Sequence, residues 1–154
     1  MTQEDKKLLL KDLSARLTYG VKAYVKNWSK LDRKYYEGVY TVDSIHPSLN
    51  TVLACSDKGS VEVILGYSDY VIKPYLFPLE SMSKEQESYL HFNTKFRTDR
   101  FEDLVVKIDE DDNYFYTDIS DYTSIIDWLN KNHFDYRGLI EKGLAIDATG
   151  LNIY

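Results

Sequence analysis

The 154-residue chain lacks any long hydrophobic run: its longest apolar stretches span three or four residues, as in Val63-Ile64-Leu65. A bilayer-spanning helix needs about 20, so no membrane span is expected. The opening Met1-Thr2-Gln3-Glu4-Asp5 is acidic, with no continuous apolar stretch behind it, which argues against a secretory signal. One cysteine, Cys55, cannot form an internal disulfide, and a cytoplasmic setting is the expectation. Cys55 lies in a strand-like stretch and is expected to be a buried structural thiol. Gly-x-Ser-x-Gly, His-Glu-x-x-His, phosphate-loop and dinucleotide glycine patterns are all missing. The three histidines, His46, His91 and His133, show no metal-ligand spacing with one another or with Cys55. These absences remove the usual templates for catalysis, and the chain is read as non-enzymatic and without a cofactor or metal.

What is present is an ordinary globular composition, 44% hydrophobic, at a length that suits one domain. Charge is uneven. Residues 1–80 carry 11 basic and 10 acidic side chains, net +1, whereas residues 81–154 carry 8 and 15, net −7. A uniformly basic nucleic-acid-binding domain is thereby excluded. A local basic patch remains, in which Lys22, Lys26, Lys30, Arg33 and Lys34 have only Asp32 nearby to oppose them.

Periodicity divides the chain. Residues 2–17 read as an amphipathic helix: Thr2 is placed to cap it, Leu9, Leu13 and Leu17 recur every four residues, and Gly20 stops it. From Val21 the pattern alternates. Val21–Lys26, Tyr36–Ile45, Thr51–Cys55 and Ser60–Leu65 read as strands, with a polar connection over Asn27–Lys34 and a hairpin turn at Ser56-Asp57-Lys58-Gly59. Tyr70–Leu79 contains two prolines and reads as extended or irregular. Ser83 and Gln86 have capping-box spacing and open a helix to about Asn93. Leu104–Ile108 and Tyr114–Thr117 suggest a second hairpin. Tyr122, Ile125, Ile126 and Leu129 mark a helical face, and Asp135 is placed to cap a short helix over 136–142 that Gly143 would end. Asp147–Tyr154 reads as a loosely held tail.

The expected fold is therefore α+β in a single domain, 1–154. An N-terminal helix and a small antiparallel SH3-like barrel or curved sheet occupy 1–80. A mostly helical, acidic part with a possible extra hairpin occupies 81–154 and packs on it.

Three constellations invite a chemical reading. Asp109, Asp111 and Asn113 match the first ligand positions of a calcium loop, but Tyr114 and Ser120 stand where that loop needs glycine and glutamate; an exposed acidic turn is the better reading. His133 lies near Asp127 and Asp135 in sequence, yet no nucleophile or metal partner accompanies it, and a structural histidine favoured as a cation at a helix C-terminus is preferred. The 14 tyrosines are the remaining oddity. Tyr24, Trp28, Tyr35, Tyr36 and Tyr40 fall close to the basic patch, where aromatic rings can pack half-buried in strands or form a binding surface.

Leu8–Lys22, Ile72-Lys73-Pro74-Tyr75-Leu76 and Asp127–Ala145 together resemble blocks in a family of short uncharacterised proteins from Bacteroidales genomes, prophages and mobile elements. The resemblance implies cytoplasmic expression in such a bacterium or its phage. It carries no established activity, so it supplies no catalytic or binding residue. The favoured functional reading is an accessory factor of a mobile element or prophage that binds another protein without catalysis. Its candidate contact residues are Lys22, Tyr24, Lys26, Trp28, Lys30, Arg33, Lys34, Tyr36 and Tyr40. The alternatives are a nucleic-acid module built on the same 22–40 region, or an acidic nucleic-acid mimic. No membrane partner is expected, and the sequence carries no signal for oligomeric state.

Overall fold

The computed structural model describes residues 1–29, 34–88 and 119–154, and they form an α+β arrangement around one mixed sheet. Helix α1 (Gln3–Arg16) begins as its sequence dictates. Thr2 Oγ1 accepts from the Asp5 amide at 3.0 Å while the Asp5 carboxylate accepts from the Thr2 amide at 2.8 Å, a reciprocal cap that satisfies two otherwise orphaned donors. The chain tightens into a 3-10 turn over Leu17–Tyr19 and leaves through Gly20 at φ +64°, a conformation that costs glycine nothing.

Five strands follow: β1 (Lys22–Ser29), β2 (Lys34–His46), β3 (Thr51–Ser56), β4 (Gly59–Ile64) and β5 (Val71–Leu76). A two-residue β6 (Ile146–Asp147) returns from the C-terminal segment. The sheet order is β4-β3-β2-β1-β5-β6, antiparallel except for the parallel β5–β6 pair. The sheet is curved but open. The helix–strand–strand order expected for residues 1–80 is therefore present, but the chain does not close as a barrel, because β5 pairs on the β1 side and leaves β4 as a separate edge. Curvature still brings β1 close to β4: Asn27 Nδ2 donates to the Glu62 carbonyl at 2.7 Å, so a side chain covers part of the edge that backbone pairing leaves open.

Alternation places Ala23, Val25, Tyr40, Val42, Val52, Ala54, Val61, Val63 and Ile72 on the inner face, all buried. A bulge between Val42 and Ser44 shifts the period, so that Ile45 packs against the core. Leu9, Leu10 and Leu13 of α1 lie on this face together with Leu139, Leu144 and Ala145 from the C-terminal segment. A second cluster joins Met82, Ile125, Leu129 and Phe134, with Phe77, Leu79, Ile126, Trp128 and Tyr136 against it. It docks helix α2 (Ile119–Lys131) beside the sheet.

Several expectations change. The polar connection over Asn27–Lys34 is shorter than expected, since Asn27, Trp28 and Ser29 extend β1 and Lys34 and Tyr35 open β2. The proline-bearing segment contains a regular strand: β6 pairs only from Tyr75 onward, so Pro74 sits where β5 is still an edge and its missing amide hydrogen is tolerated. Cys55 is half-buried rather than buried, with Sγ 3.2 Å from Ser60 Oγ. The tail is pinned, not loose: the Ala148 amide donates to the Leu76 carbonyl at 2.8 Å and the Tyr154 hydroxyl to the Tyr75 carbonyl at 2.7 Å. The Ser83–Gln86 capping box forms, with helix over 84–88. The end of that helix, the hairpin expected over 104–117 and the Asp109–Asn113 turn lie outside the described residues.

Residues 136–142 form successive turns rather than a helix. Gly138 lies in their middle at φ +68°, and the Asp135 carboxylate accepts from the Leu139 and Ile140 amides at 2.9 and 2.7 Å. A substitution separates the two conformations by sign. In a helix, Gly138→Ala would stabilise by about 1 kcal/mol; at positive φ it is expected to destabilise by about 1 kcal/mol, measured as a lower urea midpoint.

Candidate functional site

The candidate residues divide according to strand alternation. Lys22, Tyr24, Lys26 and Trp28 all fall on the outer face of β1, opposite Thr41, Val39, Glu37 and Tyr35 of β2. Across the other side of β1, Tyr24 faces Lys73 and Lys26 faces Val71. Trp28 and Tyr35 form a tilted ring pair with centroids 4.6 Å apart. Tyr35 is 60% exposed and Val39 42%, both large for apolar surface on a small protein. Tyr24 donates its hydroxyl to Glu37 Oε1 at 2.6 Å, and that bond holds its phenol above the usual pKa.

Tyr36 and Tyr40 go the other way. Tyr40 is 2% exposed and belongs to the core, while Tyr36 packs against it. Neither shares the face of Tyr24 and Trp28, because residues of even number in β2 point inward before the bulge. Lys34 follows them, with its ammonium 5.4 Å from the Tyr36 ring centroid. Lys30 and Arg33 lie outside the described residues. Lys22 is on the outer face, but its ammonium donates to the Ile153 carbonyl at 2.5 Å and lies 5.8 Å from the Tyr154 ring centroid. Tyr35 and Val39, whose exposure defines the surface, were not among the candidate contact residues. Tyr35 was visible in sequence as an aromatic close to the basic patch; Val39 carried no signal, because alternation alone does not say which face is covered.

A second group of polar residues lies inside the protein. Arg16 is fully buried. Its Nε and one terminal nitrogen grip Asp12 at 2.9 and 3.0 Å, and its remaining donors reach the Leu129 carbonyl at 3.4 Å and the Phe134 carbonyl at 2.7 Å. Arg137 donates to the same Asp12 at 2.7 Å and stacks its guanidinium 4.3 Å from the Tyr136 ring centroid. One carboxylate thus serves two guanidinium groups, and the excess positive charge rests against the C-terminal carbonyls of α2, the negative end of its dipole. Arg137 thereby ties the C-terminal segment to α1; its partner Asp12 and the burial of Arg16 had no distinguishing sequence mark.

His133 closes α2. Its φ is +58°, and the Phe134 amide reaches back to the Leu129 carbonyl at 3.0 Å, so a histidine occupies the left-handed position usually held by glycine. The side chain is 6% exposed and stacks on Tyr154, ring centroids 3.9 Å apart. Burial, and then Arg16, push its pKa down to about 4 against the opposing charge of Asp12, with Lys22 adding a smaller downward push. The cationic histidine expected at this helix end is therefore corrected: desolvation outweighs the dipole, and the ring is neutral at pH 7. The neighbouring carboxylates do not orient it. Asp127 accepts from the Tyr19 hydroxyl, and Asp135 is committed to the Leu139 and Ile140 amides. Nδ1 has no hydrogen-bond partner among the described residues, a condition that costs about 1–3 kcal/mol for a buried polar atom. Among the described residues there is no cluster of three or more His, Cys, Asp or Glu suited to a metal ion, and no helix is long and apolar enough to cross a membrane.

Two measurements follow from this interior. Asp12→Ala leaves Arg16 buried without a counter-charge and is expected to cost about 3–5 kcal/mol. Arg137→Ala removes a partly exposed partner and should cost about 1–2 kcal/mol in the same urea unfolding series. For His133 the folded pKa lies below the unfolded one, so between about pH 6.5 and 4 the unfolded chain binds the extra proton. Stability from this group is complete above pH 6.5 and is lost as pH falls toward 4. His133→Asn, which tolerates the left-handed backbone, is expected to flatten that part of the stability–pH profile. No family model matches the chain, and no match is found among curated proteins or solved structures.

Proposed function

We propose that the protein is a non-enzymatic binding factor that recognises another protein through the outer face of β1 and β2. One observation carries this reading: the Trp28–Tyr35 ring pair stands on a face with exposed Val39, while the opposite face of the same strands holds the core. Tryptophan and tyrosine contribute most to protein interfaces because they bury large area while fixing few torsions. Tyr24 and Glu37, already bonded to each other, add a polar rim that needs no rearrangement on binding. The resemblance of three sequence blocks to short Bacteroidales proteins supports the further reading of a cytoplasmic accessory factor of a prophage or mobile element.

A second reading has its own observation. Lys26 and Lys73 flank Tyr24 and Trp28 on this face, an arrangement that suits stacked bases beside phosphates. It predicts binding that weakens steeply with salt.

The test is affinity capture from native lysate with nuclease-treated and untreated samples run in parallel. A protein partner retained after nuclease treatment, and weakened about 30-fold or more by Trp28→Ala with Tyr35→Ala, is the expected result, corresponding to at least about 2 kcal/mol at a hot spot. Capture abolished by nuclease moves the assignment to nucleic acid. Capture that the double substitution does not change overturns the choice of surface.

A further inference from the structure

A cleft of about 380 Å³ opens where the terminal residue meets the end of α2, sharing no lining residue with the outer sheet face. Its volume falls within the range of small-molecule sites. The walls are aromatic. Phe77 lies with ring centroids 6.2 Å from Phe134 and 6.0 Å from Tyr154, and Tyr154 stacks on His133 at an interplanar angle of 11°. Trp128 supports this wall from the side, stacked on Phe134 at 5.6 Å.

The polar groups at the cleft have a particular sense. Among the described residues lining it, Lys131 supplies the one ionised side chain, a cation. The Gln86 side-chain carbonyl is occupied by the Ser83 amide, so its NH2 group is left to donate. Asn132 uses its NH2 on the Trp128 carbonyl, and Ser81 uses its hydroxyl on the Pro78 carbonyl. A cation and an amide donor in a cleft lined by flat rings match an aromatic ligand that carries negative charge.

Two further features single out His133 in this cleft. Its left-handed backbone is uncommon for a residue with a side chain, and it is held by the surroundings: the Phe77 amide donates to its carbonyl at 2.9 Å, and the Asp135 amide donates to the Phe77 carbonyl at 2.8 Å. Its imidazole is nine-tenths buried with an unpartnered nitrogen. Outliers of this kind persist where the surroundings over-determine them and gather at ligand sites. Glycine would close the helix at lower cost, whereas histidine contributes a flat ring to the cleft wall.

We propose that this cleft binds a small planar aromatic carboxylate, its ring against Phe77, Phe134 and Tyr154 and its charge toward Lys131 and Gln86. The site is independent of the outer-face assignment, so failure of either leaves the other standing. Titration of the full chain with indole-3-acetate, followed by calorimetry and by amide chemical shifts, tests it. A dissociation constant of about 0.1–1 mM is expected for a ligand of roughly a dozen heavy atoms, with shifts centred on Gln86, Lys131 and His133. Indole-3-acetamide, which keeps the ring and loses the charge, should bind about tenfold more weakly, and hexanoate, which keeps the charge and loses the ring, should not bind measurably. Lys131→Met should reduce affinity for the acid about tenfold and leave the amide unchanged; Lys131 is exposed, so this variant keeps its fold. No saturable binding by the aromatic acid, equal binding of acid and amide, or shifts confined to other residues would each overturn the proposal.

Discussion

The arrangement of this protein depends on one buried contact, the grip of Arg16 on Asp12 and on the last carbonyls of α2. Arg16 is the last residue of α1, and two of its four hydrogen bonds reach residues more than a hundred positions away. A guanidinium removed from water must have every donor satisfied and its charge opposed. That requirement fixes the helix end, the Phe134 carbonyl and, through Asp12, Arg137 in a single geometry. Hydrophobic burial of Leu9 and Leu13 holds α1 to the sheet without direction; the guanidinium adds direction, because only one placement of the C-terminal segment satisfies it. The consequences extend to His133. With Arg16 beside it and water excluded, its ring stays neutral and stacks on Tyr154.

Local features of the fold were legible from the chain. Thr2 and Asp5, or Ser83 and Gln86, write a cap within four residues, and alternation from Val21 writes a strand. Each signal is complete in its own neighbourhood. What could not be read depends on partners distant in sequence. Trp28 counted as part of a polar connection because its partner Tyr35 belongs to the next strand. Tyr70–Leu79 looked irregular because its two prolines disfavour strand, and nothing local reveals that pairing with β6 begins one residue after Pro74. Residues 136–142 looked helical because Asp135 and Gly143 are spaced as cap and stop, yet the doubly engaged Asp135 carboxylate and the left-handed Gly138 favour turns. The tail looked loose because Tyr75 and Lys22, which receive Tyr154, are far upstream.

The candidate site shows the same division. Alternation grouped Lys22, Tyr24 and Lys26, since side chains two apart in a strand share a face; Trp28 joins them because β1 continues to Ser29. It could not assign Tyr36 and Tyr40 relative to them, because the relation between two strands depends on register. With Trp28 opposite Tyr35, every even-numbered residue of β2 before the bulge is committed to the inner face. The cleft was less legible still, since it combines Phe77, Gln86, His133 and Tyr154 from four separate parts of the chain.

The distribution of lysines bears on which partner the outer face suits. In sequence, Lys22, Lys26, Lys30, Arg33 and Lys34 form one cluster, and a cluster of that density beside aromatics argues for phosphate binding. Among its described residues, it comes apart in three dimensions. Lys34 shares the side of Tyr36, and Lys22 is bonded to the Ile153 carbonyl and drawn toward the Tyr154 ring. Among the described residues of the cluster, Lys26 is the one left on the outer face with no hydrogen bond or ion pair drawing it away, and Glu37 stands opposite it. Phosphate affinity grows with the number of charges neutralised, so dispersing the lysines weakens that term while the Trp28–Tyr35 pair keeps its apolar area. A surface whose aromatic content survives folding better than its charge is better suited to another protein than to a nucleic-acid backbone.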